Sequence, residues 1–401
     1  MNGKKQILMV MPVLKGGGAE RVASLLVNEF AANGYKTEFL LTSCNKNEII
    51  NRDLDSATEI TVLRDNIKQN AFLKIFYKLL RIISSLICKC FEVVKVSVPA
   101  LFAYMSFVSE YYAEIKAMRN KLKQEPDTAV VVFLQPSIPL VLLAARGLPN
   151  RIIISERGNP ERLMKSRYGY KFIKKYYDRA DVVVFQTPDA QNTYPDEVAE
   201  KGVVISNPVK SDLPEPYSGE RNKNITTFCR ISKQKNLPVL IEAFSIVHRD
   251  FPEYRLRIIG QPYNDDDMVA LDETKAMIEK HNLADFVDFL PFSKNVHSDI
   301  IEDALYVNSS DYEGMSNAML EAMAIGMPCV CTDCPIGGAR VVIKDGENGL
   351  LTPVGDSYAL YEAIKKVLSD KTFANKLCVN ASKVRDEMSL KNTAKLWMEI
   401  L

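Results

Sequence analysis

No charge of one sign dominates this 401-residue chain: Lys and Arg number 51, Asp and Glu 50, and the formal net charge is +1. That balance argues against a dedicated nucleic-acid binder, which would carry a strongly basic domain. Cysteine is sparse, with eight residues over the whole length, which excludes a disulfide framework and fits a reduced, cytoplasmic setting. No secretory leader is expected from the first apolar run. Lys4 and Lys5 precede the apolar run QILMVMPVL, but Lys15 and three glycines follow at once without a small-residue cleavage pattern, so the run is predicted to be a first strand. Low-complexity tracts are absent. Histidine is confined to His248, His281 and His297, all in the second half, and tryptophan to Trp397.

What is present is a large apolar inventory. At 47% hydrophobic and 25% charged residues, the chain has material for more than one core, and its length predicts two domains. Short apolar runs alternate with amphipathic stretches, the rhythm of parallel α/β architecture. The runs ILMVMPVL, TEFLLT, AVVVFL, RIIIS, DVVVFQT and VVIS read as strands of a first series. The proline-rich loop NPVKSDLPEPYSG reads as a linker. A second series follows with ITTFCRI, YRLRIIG, FVDFLP, ALYVNSS, PCVCT and NGLLTPV. The predicted domains are 1–208 and 209–383, with a final helix over 384–401 that carries Trp397.

Residues 71–123 break this rhythm. They hold nine Lys/Arg against three Glu, and their longest uncharged run, VSVPALFAYMSFVS, is 14 residues with Pro99 inside. That is short of the ~20 residues a spanning helix needs. Two readings stand: an amphipathic element resting on an anionic membrane surface, or a helix pair packed on its own domain with lysines reaching outward.

The chemistry concentrates in the segment EGMSNAMLE, where Glu313 and Glu321 bracket a helix start. Eight residues of helix advance ~12 Å, so the two acids can reach opposite ends of an extended ligand with helix-terminal N–H groups between them. A sugar nucleotide has that layout: sugar hydroxyls, diphosphate, ribose hydroxyls. An early-turn Glu can equally complement the helix dipole, and Glu313 can be a solvated loop acid. Arg230 and Lys235, in FCRISKQKN just after a strand, are suited to neutralising a diphosphate. The first turn, KGGGAER, lacks the Gly-Lys-Ser/Thr ending of a nucleotide-triphosphate loop, and Arg21 stands where G-x-G-x-x-G needs its last glycine. It is a bare glycine turn that an anion or sugar can approach. Cys329, Cys331 and Cys334 have metal-like spacing, but no second pair or nearby histidine follows, so a buried strand is preferred to a metal site.

These segments together resemble the retaining glycosyltransferases of family 4, which have the GT-B fold: two Rossmann-like domains with a cleft between them. GGGAERV, the Arg230/Lys235 loop, and SDYEGMSNAMLEAMAIGMPCVCTDCPIGGARVVIKDGENGLL carry the resemblance. It implies an acceptor-binding first domain, a nucleotide-sugar-binding second domain, and a C-terminal helix packing back on the first. It implies a UDP-sugar donor, a saccharide or lipid-linked acceptor in polysaccharide, capsule or glycan synthesis, no metal or other cofactor, and at most peripheral contact with a membrane. Arg230, Lys235 and Glu313 would be catalytic. Glu321 would take the ribose, backbone groups of Gly314, Met315, Ser316 and Asn317 the sugar and phosphates, and Gly17 and Gly18 would face the diphosphate across the cleft. Leu290 and Phe292 would border the base. Members often place glycine where Cys229 stands, and a first-domain histidine near the donor sugar. Here Glu156 and Arg157, in ERGNP, take that region and can orient acceptor or donor, or Arg157 can simply pair with Glu156 or Glu161. Rival readings are another GT-B enzyme, such as a UDP-sugar epimerase or a phosphorylase, and a non-catalytic sugar-nucleotide-binding subunit.

Overall fold

The computed structural model describes residues 5–45, 47, 49–50, 53–67, 71–93, 100–158 and 176–401. Lys4, Pro99, Asn159, Pro160 and Glu161 lie outside them. The chain divides into two compact units, Met1–Ile205 with Thr393–Leu401, and Ser206–Asn392.

In the first unit, seven strands are β1 Gln6–Met11, β2 Lys36–Leu41, β3 Glu59–Val62, β4 Ala129–Phe133, β5 Ile152–Ser155, β6 Val182–Phe185 and β7 Gly202–Val204. They lie in the order β3-β2-β1-β4-β5-β6-β7, all parallel, with Met9 opposite both Phe39 and Val131. Such strands are near-continuous apolar runs because both sheet faces are covered; Leu8, Met9, Val10 and Val130 to Phe133 are fully buried. Strand β3, EITV, is absent from the sequence reading because it is a four-residue edge strand with only Val62 buried, so no apolar run marks it. Helix α1, Gly18–Ala32, turns Val22, Ala23, Leu26, Val27 and Phe30 inward, the spacing of one helical face.

The basic insertion forms two helices, α2 Ala71–Val93 and α3 Ala100–Gln124. Helix α3 is anchored to its unit. Phe107, Met118 and Leu122 are buried, Lys121 Nζ donates to Glu38 and Glu125 at 2.7 and 2.9 Å, and Arg119 Nη1 donates to Ala144 O at 2.8 Å. Helix α2 meets α3 through Tyr77 stacked on Tyr112 at 3.8 Å. Phe76, Leu79, Ile82, Ile83 and Leu86 of α2 remain exposed, together with Lys78, Arg81 and Lys89. Internal packing thus describes α3, while α2 keeps an exposed apolar stripe. Among the described residues no helix is long and apolar enough to cross a membrane.

In the second unit, six parallel strands are β8 Asn224–Phe228, β9 Arg255–Ile259, β10 Val287–Leu290, β11 Leu305–Asn308, β12 Cys329–Thr332 and β13 Leu350–Thr352. Their order is β10-β9-β8-β11-β12-β13. Helices α4 Leu237–Asp250, α5 Asp265–Lys280, α6 Val296–Ile300, α7 Asn317–Ala324 and α8 Gly338–Val342 connect them. Ligands of open parallel sheets bind off the carboxyl ends of the strands, where the strand order reverses. That reversal falls between β8 and β11 here, and between β1 and β4 in the first unit.

Residues 384–401 are not one helix. Val384–Glu387 is a single turn, followed by α9, Leu390–Glu399. Within the first unit, Trp397 is fully buried, its ring 5.8 Å from that of Phe133, and Ile400 O accepts from Arg151 Nε at 2.8 Å. Cys329 and Cys331 alternate along buried β12, and Cys334 is buried just beyond; all three thiols are free.

Candidate active site

The loop leaving β8 and the loop leaving β11 join at the strand-order reversal of the second unit. Asp311 N donates to Gln234 O at 2.9 Å, Gln234 Nε2 to Tyr312 O at 2.8 Å, and Ser309 Oγ to Lys235 O at 2.9 Å. Asn236 holds a left-handed conformation (φ 43°) at the start of α4, and its Nδ2 reaches Asp311 Oδ1 at 2.5 Å. This stitching brings Lys235 onto Glu313: the ammonium forms a short ion pair with Oε1, which also accepts from Ser310 Oγ at 3.0 Å. Burial pushes the Lys235 ammonium down, but the Glu313 carboxylate beside it outweighs that and leaves it raised. Burial likewise pushes the Cys229 thiol up, so Cys229 is a neutral neighbour of the pair at physiological pH.

The segment after Glu313 is fixed from three sides. Ser316 caps α7, its Oγ accepting from Met319 N at 3.3 Å. Asn207, at the start of the linker, donates its Nδ2 to Met315 O at 3.2 Å and Asn317 Oδ1 at 2.7 Å. Gly338 presses against the loop so closely that a Cβ there would lie 1.8 Å from Gly314 O. Met315 is buried in the core. With these side chains engaged, what the stretch offers a ligand is backbone, and the α7 N-terminus favours negative charge.

Arg230 stands apart from the Lys235 pair. Its side chain is 47% exposed, and its Nε lies 3.7 Å from Asp267, which also accepts from Tyr263 N at 3.0 Å. Gly260 (φ 148°) allows the end of β9 to pass Cys229, where a Cβ would sit 1.8 Å from Cys229 O. Leu290 is packed partly into the core, whereas Phe292 is 43% exposed. Glu321 is buried on α7, and His297 Nε2 lies 2.7 Å from its Oε2.

In the first unit, the glycine turn is already occupied. The Glu20 carboxylate accepts from Gly17 N at 3.1 Å and from Lys15 N in a short bond, so Glu20, at the third position of α1, reaches back to satisfy these two amides. Glu156 and Arg157 do different things. Glu156 is buried and accepts a short bond from Tyr177 Oη, which in turn receives Gln135 Nε2 at 3.1 Å. Burial pushes the Glu156 carboxyl up, only partly countered by the tyrosine hydroxyls of Tyr177 and Tyr194. Arg157 Nε donates to Ser155 Oγ at 2.7 Å, and its guanidinium covers the rings of Phe133 and Trp397 at 4.6 and 5.9 Å. Burial pushes it down to about 9, so it remains a cation at neutral pH.

Sequence reasoning singled out neither Asn207 nor Asp267 nor the partnership of His297 with Glu321. Asn207 precedes a proline, which signals a local turn but not the contacts it makes more than a hundred positions on. The other two depend on spatial neighbours. Among the described residues, no group of three or more His, Cys, Asp or Glu side chains is arranged to hold a metal ion.

Residues 213–384 match the family described as Glycosyl transferases group 1. The N-acetylgalactosamine-N,N'-diacetylbacillosaminyl-diphospho-undecaprenol 4-alpha-N-acetylgalactosaminyltransferase of Campylobacter jejuni is 26% identical over 269 residues, 62% of this chain and 70% of that protein. Two further curated relatives are matched over only 28% and 35% of their own length. A mutant of S. aureus TarM, crystallised with fondaparinux, alpha-GlcNAc-glycerol and UDP, gives a TM-score of 0.72 at 14% identity over 99% of both chains. Anabaena Alr3699/HepE with UDP and glucose gives 0.72 at 16% identity, again over 99% of both chains. With a six-stranded group 1 unit joined to a seven-stranded parallel one, the chain carries a Glycosyl transferases group 1 domain and has the GT-B fold.

Proposed function

We propose that the chain transfers a hexose or N-acetylhexosamine from a UDP-sugar, with retention of anomeric configuration, to a saccharide acceptor carried on a lipid or a growing polysaccharide. The observation that carries this reading is the meeting of Lys235, Glu313 and the start of α7 at one strand-order reversal, with Arg230 on the same loop as Lys235. Support comes from UDP in the TarM and HepE crystals and from the undecaprenol-linked substrate in the name of the Campylobacter relative.

In the reaction the bond from sugar C1 to the phosphate oxygen breaks, and the acceptor oxygen bonds C1 on the same face. The electron pair leaves with the phosphate, and the acceptor's proton passes to the departing phosphate oxygen. Arg230, Lys235 and the α7 N-terminus stabilise the charge growing there, which is where a preorganised site gains most. Glu313 accepts donor-sugar hydroxyls, and Glu321 those of the ribose. These fixed charges take the part a divalent ion would play, so transfer is expected to persist in chelator. The exposed stripe and cations of α2 suit peripheral attachment to an anionic bilayer, near a lipid-linked acceptor.

The test is a panel of UDP-hexoses and UDP-N-acetylhexosamines, scored first by thermal shift and then by mass spectrometry of products on lipid-pyrophosphate saccharides. A one-sugar mass gain with an α linkage from an α donor is expected. Sugar-nucleotide interconversion without acceptor, or an inverted linkage, would refute the reading.

A further inference from the structure

We propose that His297 is a positioning residue that sets the Glu321 carboxylate for the donor's ribose diol; this rests on the reading that Glu321 binds that ribose. The two side chains are each only 6% exposed, with 2.7 Å between Nε2 and Oε2. A carboxylate oxygen accepts, so the proton in this bond is carried by His297 Nε2. The imidazole is held in turn. Its ring meets Phe228, the last residue of β8, edge-on at 5.7 Å and 85°, and Phe228 packs on Tyr306 of β11 at 5.1 Å.

The chain of contacts therefore runs from β8 and β11, the two strands flanking the order reversal, through a clamped ring to one carboxylate oxygen. Glu321 lies on α7 among the fully buried Met319, Leu320 and Met323, where an acid without a donor would be costly. A glutamate has three rotatable bonds, and a ribose diol presents two O–H groups in fixed relation. Both can be received by one carboxylate only if its plane is held, which is what a second, rigid donor supplies. His297 sits on α6, an element separate from α7, so its contribution is orientation from outside the helix that carries the acid.

The experiment titrates UDP and 2′,3′-dideoxy-UDP into wild type, Glu321→Gln, His297→Gln and His297→Asn by calorimetry. Wild type is expected to prefer UDP by roughly 10-fold or more, as for hydrogen bonds to a charged acceptor. Glu321→Gln should flatten that preference. His297→Asn, whose amide stops short of the Nε2 position, should flatten it too, while His297→Gln, whose amide reaches that position, should restore it. In turnover assays His297→Asn should raise the donor KM and leave kcat within a few fold, the mark of lost uniform binding. A flattened ratio in Glu321→Gln alongside a wild-type ratio in His297→Asn overturns the positioning role and leaves the ribose reading intact. A wild-type ratio in Glu321→Gln overturns the ribose reading itself. Should His297→Asn not fold, a folded His297→Gln with a flat ratio rejects the inference.

Discussion

Breaking the Lys235–Glu313 pair should cost stability as well as activity, and the two costs separate. The side chains are 17% and 13% exposed, so some solvent reaches them and the low end of the range for severing a buried pair applies. Lys235→Met should therefore destabilise by about 3 kcal/mol, because Glu313 loses its cation and retains, among the described residues, the Ser310 hydroxyl as donor. For a unit of this size, ~2–4 °C per kcal/mol gives a drop in Tm of roughly 6–12 °C. Replacing both partners, Lys235→Met with Glu313→Leu, should recover most of the loss, since an apolar pair carries no stranded charge. The folded Lys235 pKa is raised, so the pair's contribution is complete below the unfolded lysine value of about 10.4 and is lost as pH climbs through the folded one. The Tm gap between wild type and Lys235→Met should be flat from pH 6 to 9 and shrink above about 10.5. Scanning calorimetry of the four-member cycle reads this directly. Additive losses in the double variant would show that the two groups are not coupled and that the contact is incidental.

Arg230→Ala should lower turnover by roughly 10²-fold, as for one preorganised charge, with a modest fall in Tm, because only the arginine end of its 3.7 Å contact is exposed while the buried Asp267 carboxylate keeps the Tyr263 N–H as a donor; near-normal kcat would remove it from the diphosphate. Glu156 has a raised pKa from burial, so the native state holds its proton while the unfolded chain releases it, and stability falls as pH rises from about 4.3 toward the folded value. Glu156→Gln abolishes that fall, so its Tm relative to wild type should climb between pH 4 and pH 7; a constant difference would place a solvated carboxylate there. On the exposed side of α2, the Phe76→Ser, Leu79→Ser, Ile83→Ser triple variant and the Lys78→Gln, Arg81→Gln, Lys89→Gln variant should each sediment less with anionic liposomes than wild type; equal partitioning would reject the membrane reading.

Which parts of this site were legible in the sequence follows from where the information lies. Spacing along one element is local, so Glu313, the α7 start and Glu321 announce themselves in a single run of nine residues. The pairing of Lys235 with Glu313 spans 78 positions, and it arises because β8 and β11 are neighbours only through the order reversal. Adjacency misled at Glu156 and Arg157. Successive residues at a strand end point to opposite faces, so one carboxyl goes to Tyr177 and the next guanidinium to Ser155 and Phe133. At the glycine turn, the sequence did not show that Glu20, three residues on, accepts from Gly17 N. Strand β3 escaped because an edge strand needs no apolar run.

The same logic ranks the cations. An ammonium in short contact with a carboxylate presents little net charge to a diphosphate, whereas a half-exposed guanidinium 3.7 Å from the Asp267 carboxylate is paired more loosely. A planar fork also meets two phosphate oxygens where a point charge meets one. On the proposed reading, Arg230 is then the better placed of the two for phosphate in the free protein, and Lys235 would chiefly orient Glu313 toward the sugar. On that reading, a leaving group that gains charge would compete with Glu313 for the ammonium and draw Lys235 toward phosphate as C1 becomes positive. Stabilisation that grows along a reaction in this way raises kcat rather than tightening ground-state binding, so Lys235→Met should lower kcat more than it weakens binding of UDP, and the reverse split would refute the proposed role.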